Sequence, residues 1–403
     1  MKRVMVSLIG EQTAPNLFLH LHFEPDIHYL LHSKKTDKHS KDLATSIGLW
    51  ADETRKRMPE IPRVLIEKEN EWTCVRDKVR AKLKEVGKDS EVILNVTSGT
   101  KPMTIGAWEA RKSCSSPADV VYLDGGTIRH LDEKSSTEAL KQEPSIRVFL
   151  MAYGYEIETT APLDSPDLNL LARAAETAVE RPELRKNLMK SGSLPKALFP
   201  EELWRELVKA GFLSENGDDL VCCKEDIFNE KSLKAIEKFW TGDWISLCTW
   251  KIIKDKWPDR EVLVGTKLKD VSGKQGYNEV DVLLFKDWKL WCVECKTSKP
   301  RNKEEAGKKS KPKGDSYYKI KEITRRIGGI FAKPVLVTTK KMERAASDES
   351  MGCVVLPENC TYPEFKENLL RILEGYGSTF TPGPLNQGFS VKVGFLISAA
   401  GAG

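Results

Sequence analysis

The chain has 403 residues, of which 40% are hydrophobic and 31% are charged, so its length predicts two or three domains with cores of their own. A formal net charge of +5 does not by itself require a nucleic-acid partner. The nine cysteines show no regular spacing, the N-terminal apolar run ends at Glu11, and no apolar run reaches the roughly 20 residues that cross a bilayer. These features argue against a disulfide framework and predict a soluble cytoplasmic protein without a signal peptide or membrane span.

Residues 1–150 alternate strand patterns with helix patterns. Apolar runs rich in β-branched residues, such as RVMVSLI and EVILNV, predict strands, whereas HSKDLATSIGLWADETRKR and TCVRDKVRAKLKEVG predict amphipathic helices. This alternation is typical of an α/β domain with an open parallel sheet and helices on both faces. We therefore predict a Rossmann-like first domain over residues 1–150.

Residues 155–235 differ from the first domain because two helical patterns precede a hairpin-like turn at SENGDDLVCC. They predict a small helical or winged-helix-like linker module. Residues 236–375 predict an α/β unit, in which a helix, a strand, a hairpin, a basic loop, a helix and a strand follow one another. Residues 376–403 form a tail to which the sequence assigns no role.

The predicted hairpin at residues 278–299, NEVDVLLFKDWKLWCVECKTSK, carries charged residues inside apolar runs. Glu279 and Asp281 share one face of the first strand, and Glu294 and Lys296 share one face of the second. If the strands pair, these groups converge, and converging carboxylates repel unless a cation lies between them. Mg²⁺ or Mn²⁺ bound by Asp281 and Glu294 would remove that repulsion and orient a water against a phosphodiester. Lys296 would position the water or stabilise the developing negative charge.

A surface hairpin with solvent-facing ion pairs is the alternative interpretation of the same residues. Apolar neighbours such as Val280 and Trp291 argue against full exposure. Cys292 and Cys295 lie three positions apart on one predicted strand, so we expect them to face opposite sides and to pack in the interior.

A basic segment, KPRNKEEAGKKSKPKGD at residues 299–315, directly follows this hairpin. Such a run is usually a solvated loop, but beside phosphodiester chemistry it is also suited to follow a nucleic-acid backbone. The helix pattern after it extends the basic surface. The predicted nucleic-acid contacts are Lys308, Lys309, Lys311, Lys313, Lys319 and Arg325.

Two polar loops of the first domain each follow a predicted strand and precede a helix: GEQTAPN at residues 10–16 and NVTSGTKPM at residues 95–103. Backbone N–H groups and the helix dipole make such loops suited to bind anions, and Lys101 adds a positive charge. The two strands are predicted neighbours at the switch point of the sheet, where ligands bind. Ordinary β–α loops with capping residues are the alternative. The predicted ligand-binding residues are Gly10, Glu11, Gln12, Thr13, Asn16, Asn95, Thr97, Ser98, Gly99, Thr100, Lys101, Met103, Asp124 and Gly125.

The hairpin resembles the PD-(D/E)XK nuclease superfamily, because Asp281 matches its first acid and Glu294-Cys295-Lys296 matches its E-x-K element. The resemblance implies a metal-dependent endonuclease whose catalytic residues are Asp281, Glu294 and Lys296. Many members have a glutamate on the preceding helix, where this chain has Ser246. We expect Glu279 to substitute as a ligand, which leaves the number of metal ions open.

The loops of the first domain, together with YLDGG at residues 122–126, resemble a CARF domain, the Rossmann-like sensor of cyclic oligoadenylates. The chain as a whole resembles CARF–nuclease fusion effectors of type III CRISPR defence in prokaryotes. This resemblance implies cyclic tetra-adenylate bound across a homodimer, and activated cleavage of RNA, DNA or both. Other CARF effectors have a HEPN ribonuclease that requires a histidine, and this chain has none after His130.

Two further hypotheses stay open at this point. The chain is alternatively a ligand-sensing regulator that binds nucleic acid through residues 195–225 and does not cleave it. A constitutive restriction-type endonuclease would cut without regard to an activator.

Overall fold

The computed structural model describes residues 1–113, 118–131, 136–161, 166–181, 183, 193–222, 244–273, 278–297, 316–339, 351–356, 360–375 and 379–380. Its helices are α1 (Ala14–Phe23), α2 (Asp37–Thr54), α3 (Trp72–Glu85), α4 (Lys101–Ala110), α5 (Ile146–Met151), α6 (Pro166–Glu180), α7 (Glu201–Lys209), α8 (Trp244–Lys256), α9 (Ser316–Gly328) and α10 (Tyr362–Leu373). Within these ranges, no helix combines the length and the apolar character that crossing a bilayer requires.

The strands of the first domain are β1 (Arg3–Leu8), β2 (Ile27–His32), β3 (Arg63–Leu65), β4 (Glu91–Asn95), β5 (Ala118–Asp124), β6 (Thr127–His130) and β7 (Thr137–Ala139). Those further along the chain are β8 (Tyr155–Thr159), β9 (Ser193–Pro195), β10 (Leu213–Asn216), β11 (Asp219–Cys222), β12 (Val262–Asp270), β13 (Asn278–Lys286), β14 (Lys289–Lys296), β15 (Ala332–Thr338), β16 (Gly352–Val355) and β17 (Thr379–Phe380).

The first sheet has the strand order β3-β2-β1-β4-β5-β6-β7. Its pairs from β3 to β5 are parallel, as the alternation of strands and helices predicted. β6 and β7 are antiparallel, because the chain turns back directly after β5 through Gly125, whose φ of 62° lies in the left-handed region that favours glycine. The predicted open parallel sheet is thus confirmed from β3 to β5, and an antiparallel extension completes it at one edge.

Alternate residues of β1 face opposite layers of the first domain. Val4 and Val6 lie in one core with Val79 of α3, whereas Met5 lies in a second core with Leu17 of α1. This separation follows from the two-residue period of a strand, and it confirms the prediction of helices on both faces.

The second sheet has the order β17-β16-β15-β14-β13-β12-β8, and its β13–β14 pair is the predicted hairpin. Asp287 and Trp288 form the two-residue turn with φ values of 53° and 62°, the backbone that suits a tight antiparallel hairpin. β12 flanks the hairpin on one side and β15 on the other. Val282 and Val293 are fully buried, so the alternative of a solvent-exposed hairpin is wrong.

The elements from β8 to β11 do not all belong to one sheet. β8 pairs with β12 at the edge of the second sheet, and Leu171 of α6 packs in the same core as Leu247 of α8. β10, β11 and β9 form a separate antiparallel sheet beside α7. The domain limits and the winged-helix-like character of this segment stay predictions.

An aromatic cluster joins the two main sheets. Phe18 of α1 makes edge contacts with Trp288 of the hairpin turn and with Phe331, at ring-centroid distances of 5.2 and 5.5 Å. Phe149 of α5 and Phe285 of β13 lie 4.9 Å apart in the same cluster. Because α1 begins directly after the loop that follows β1, the cluster brings the polar loops of the first domain close to the second domain.

Candidate functional site

The charged side chains of the hairpin meet at one point in the second domain. Lys296 Nζ lies 2.7 Å from Glu294 Oε1 and 3.9 Å from Asp281 Oδ2. Asp281 Oδ2 also accepts a hydrogen bond of 2.6 Å from the backbone N–H of Cys295, which fixes the carboxylate across the two strands. The predicted convergence of these three side chains is confirmed, and their catalytic roles stay predictions.

Glu294 is the most buried member of this group, with 1% of its surface exposed. Its Oε1 atom pairs with the ammonium of Lys296 at 2.7 Å, and Lys319 Nζ of α9 lies 4.0 Å away. A buried carboxylate is costly unless it is paired, and the ammonium of Lys296 supplies that partner.

The charges around Lys296 keep it protonated. Burial lowers the pKa of its ammonium, but the adjacent carboxylates of Asp281 and Glu294 outweigh that effect and raise the pKa above its usual value. Lys296 is therefore a cation at physiological pH, suited to stabilise negative charge and unsuited to accept a proton in this state.

The donor set of the hairpin fits a small divalent cation. Within the part of the chain that the structure describes, no group of three His, Cys, Asp or Glu side chains is placed to hold a metal ion. Asp281 and Glu294 supply two carboxylates, which suffices for Mg²⁺, since this ion usually keeps several waters and binds through one or two carboxylates. Glu279, the further predicted ligand, lies two residues before Asp281 and opposite Lys267 of β12.

The helix expected to border this site does so. Ser246 of α8 is buried, and its hydroxyl contacts the thiol of Cys295, the residue between Glu294 and Lys296. The position at which many PD-(D/E)XK nucleases carry a glutamate therefore lies beside the strand of the E-x-K element. Cys292 and Cys295 face different cores, as predicted from their spacing.

The predicted nucleic-acid contacts fall into two groups. Lys319 lies at the hairpin site with half of its side chain exposed, whereas Arg325 is 75% exposed and pairs with Glu322 on α9. The others lie outside the described residues: Lys308, Lys309, Lys311 and Lys313. Only Lys319 among the described members is close to the carboxylates of the hairpin. The sequence offered no signal for that proximity, because it depends on how α9 packs against β14.

The two polar loops of the first domain meet at the switch point of its sheet. β1 and β4 are adjacent and parallel, and the strand order runs outward from them in opposite directions. A Cβ atom built on Gly10 would lie 3.0 Å from the backbone nitrogen of Gly99, so the loops touch main chain to main chain. Ser98 Oγ donates to the carbonyl of Gln12 over 3.3 Å. The predicted juxtaposition of these loops is confirmed.

Several predicted ligand residues are engaged in holding these loops. Asn95 is fully buried and donates to Asn16 Oδ1 at 2.7 Å, while its own Oδ1 accepts from the N–H of Thr97 at 2.9 Å. Thr13 Oγ1 donates to the carbonyl of Ala152 at 2.6 Å. These contacts fix the shape of the loops, so the backbone and the exposed side chains are left to meet a ligand.

The exposed part of the second loop presents a charge at a helix N-terminus. Gly99, Thr100 and Lys101 are exposed, and Thr100 Oγ1 caps α4 by accepting from the N–H of Met103 at 3.5 Å. The helix dipole and the Lys101 ammonium both favour an anion there.

The loop after β5 borders the same region. Thr97 Oγ1 accepts a hydrogen bond of 2.8 Å from the N–H of Leu123, and thereby ties this loop to the second one. Asp124 pairs with Arg129 across the β5–β6 turn, and Gly125 occupies that turn.

No signal in the sequence indicated that Gln12 would contact the second domain. Its side-chain oxygen accepts from the N–H of Ile330 at 3.2 Å.

Comparison with known families identifies both main domains. A model of the Card1 CARF domain matches residues 4–146, and a model of the Card1-like endonuclease domain matches residues 233–371. Together the two matches span more than half of the chain. No curated protein matches the sequence at a significant level.

Solved structures of low identity share the fold. Can2 from Sulfobacillus thermosulfidooxidans in complex with cyclic tetra-adenylate matches with a TM-score of 0.61 and 19% identity, over 92% of this chain and 98% of that chain. Protein VC1899 from Vibrio cholerae matches with a TM-score of 0.66 and 15% identity, over 93% and 98%. A type III CRISPR defence DNA nuclease activated by cyclic oligoadenylate matches with a TM-score of 0.57 and 20% identity, over 88% and 48%.

Proposed function

Because the chain belongs to the family that combines a Card1-type CARF domain with a Card1-like endonuclease domain, we propose that it is a nuclease of type III CRISPR defence that a cyclic oligoadenylate activates. The observation that carries the nuclease activity is the meeting of Asp281, Glu294 and Lys296 inside the endonuclease match. Among the proteins of the same fold, one is a DNA nuclease activated by cyclic oligoadenylate.

The proposed activator is cyclic tetra-adenylate, the ligand in the Can2 structure. Its phosphates would lie against the touching loops after β1 and β4, where the N-terminus of α4 and Lys101 favour negative charge. A ring with two-fold symmetry suits a homodimer, in which each protomer contributes the same pair of loops.

Asp281 and Glu294 are the proposed ligands of Mg²⁺ or Mn²⁺. Their carboxylates suit a hard cation, and both lie within 4 Å of the ammonium of Lys296. When bound, such an ion polarises a phosphoryl oxygen and lowers the pKa of a coordinated water. Glu279 is proposed as an additional ligand from its position two residues before Asp281.

Two lysines of the second domain would act on the phosphodiester. The ammonium of Lys296 is held cationic beside both carboxylates, so it stabilises the negative charge that develops on the phosphoryl oxygens. Lys319 lies 4.0 Å from Glu294 Oε1 with its side chain half exposed, which suits it to hold a substrate phosphate next to the reacting group. Both residues bind and orient the substrate through charge.

The proposed substrates are RNA, DNA or both, in the cytoplasm of a prokaryotic cell. The basic segment that follows β14 would extend contact with the nucleic-acid backbone, through the charges of Lys308, Lys309, Lys311 and Lys313. Such contacts are independent of base sequence, so we expect cleavage with little sequence preference.

Cleavage assays with purified protein test this function against the alternative of a regulator that binds without cutting. Supercoiled plasmid and single-stranded RNA are incubated with cyclic oligoadenylates of several ring sizes, in Mg²⁺ or Mn²⁺. We expect cyclic tetra-adenylate to stimulate cleavage, and Asp281→Asn or Glu294→Gln to abolish it. Unchanged cleavage by both variants would reject the proposed active site. Cutting that ignores the activator would favour a constitutive endonuclease.

A further inference from the structure

Gln12 links the two polar loops of the first domain, residues 10–16 and 95–103, to the second domain. These two loops are called the sensor loops below. It lies in the loop after β1, and its side-chain oxygen accepts hydrogen bonds from the hydroxyl of Tyr153 at 3.3 Å and from the backbone N–H of Ile330 at 3.2 Å. Ile330 is 318 residues further along the chain and belongs to the Card1-like endonuclease match. The Gln12 side chain thus bonds from the proposed activator site directly to the backbone of the nuclease domain.

The main chain of Gln12 is tied to the other sensor loop. Its carbonyl accepts from Ser98 Oγ at 3.3 Å, and the neighbouring Gly10 touches the backbone of Gly99. A ligand that separates, closes or rotates these two loops therefore moves the backbone of Gln12. Because the Gln12 side chain is bonded at its far end, that movement reaches Ile330.

The nuclease end of this contact lies in a short connector. Residues Gly329–Phe331 form a single 3₁₀ turn that joins α9 to β15. α9 carries Lys319 at the hairpin site, and β15 pairs in parallel with β14, where Glu294 lies opposite Leu336. A displacement of the connector therefore acts on both elements that border Glu294.

Gly329 makes room for this contact. It has a φ of 55°, and a Cβ built on it would lie 2.0 Å from Gln12 Oε1. Any larger residue at this position displaces the Gln12 side chain. Gly273 provides a matched control in the same domain, since its φ is 69° and a Cβ there would meet nothing within 4 Å.

We propose that Gln12 is a positioning residue that couples occupancy of the sensor loops to the placement of α9, and with it Lys319, at the nuclease site. This coupling rests on the proposed function. It assigns a hydrogen-bonded link in activation to the Gln12 side chain and to Gly329, the glycine that accommodates it.

The test compares Gly329→Ala with Gly273→Ala, because both substitutions place a Cβ on a left-handed backbone and only the first one displaces Gln12. Activator affinity is measured by calorimetry, and cleavage is measured without activator and at saturating activator. We expect Gly329→Ala to cut at the wild-type basal rate but to be stimulated about tenfold less than wild type, within the range typical of coupling between sites. We expect Gly273→Ala to match wild type in every measurement.

The activator affinity of Gly329→Ala distinguishes a loss of coupling from a loss of activator binding. Because coupling is reciprocal, an activator that no longer has to move the nuclease domain binds Gly329→Ala at least as tightly as it binds wild type. Gln12→Leu, which lacks the accepting oxygen, is a second variant and is expected to show the same loss of stimulation at saturation.

Three outcomes overturn the coupling. They are full stimulation of Gly329→Ala, weaker activator binding by Gly329→Ala than by wild type, and an equal loss in the Gly273→Ala control. Absence of stimulation in the wild type would instead overturn the proposed function, and the coupling with it. If the activator stimulates cleavage equally in the wild type and in Gly329→Ala, the proposed function stands and only the coupling is rejected.

Discussion

Replacing Lys296 by methionine removes the ammonium group that lies between two carboxylates. In the wild type its Nζ is 2.7 Å from Glu294 Oε1, and Glu294 is 1% exposed. After the substitution, the nearest cation that remains among the described residues is Lys319, at 4.0 Å. The buried carboxylate of Glu294 is thus left largely uncompensated beside Asp281.

The expected cost follows from the loss of a charge-assisted contact to a buried acid. Hydrogen bonds to charged groups contribute about 1.5–3 kcal/mol. The side chain of Lys296 is 36% exposed and Lys319 stays nearby, so we expect Lys296→Met to lower the free energy of unfolding by about 1.5 kcal/mol. Adding Glu294→Gln removes the uncompensated charge and should restore most of that loss.

Urea unfolding of the wild type, Lys296→Met and the double variant, followed at neutral pH without metal, measures this effect. Lys251→Met is the control, because Lys251 pairs with Asp255 one turn further along α8, the carboxylate of Asp255 is 45% exposed, and such a pair should contribute about 0.5 kcal/mol. If Lys296→Met unfolds at the same urea concentration as Lys251→Met, the inference of a buried ion pair at the hairpin is wrong. If Glu294→Gln destabilises the double variant further, the assigned cause is wrong.

Three further predictions concern ligands of the two sites. Lys101→Ala should weaken activator binding by about 1.5–3 kcal/mol through loss of a charge-assisted phosphate contact, and calorimetry showing unaltered affinity would reject that role. Lys319→Ala should lower the cleavage rate at saturating activator by more than Arg325→Ala does, because only Lys319 is near Glu294; equal rates would contradict this assignment. Mn²⁺ should raise the melting temperature of the wild type but not of a chain with both Asp281→Asn and Glu294→Gln, and an equal shift in both would place the ion elsewhere.

Local patterns in the sequence predicted most of the first domain and the hairpin. Strands with β-branched residues between amphipathic helices place β1 and β4 side by side, so the polar loops after them had to meet. The spacing of Asp281, Glu294 and Lys296 predicted their convergence, because the side-chain period of two and the short turn at Asp287 leave one register.

Local sequence patterns did not predict the contacts between distant parts of the chain. β8 joins the second sheet by pairing with β12, which lies more than a hundred residues further along the chain. Gln12 meets Ile330 because α1 packs through Phe18 against the second domain. These contacts depend on how two complete domains fit together, which no local pattern of residues encodes.

The most direct measurement of the central claim is the cleavage rate of purified protein with and without cyclic tetra-adenylate in Mn²⁺, compared between wild type and Glu294→Gln. We expect stimulated cleavage by the wild type and none by the variant, while both bind the activator equally. Cleavage by Glu294→Gln at the wild-type rate would contradict an active site built on the β13–β14 hairpin.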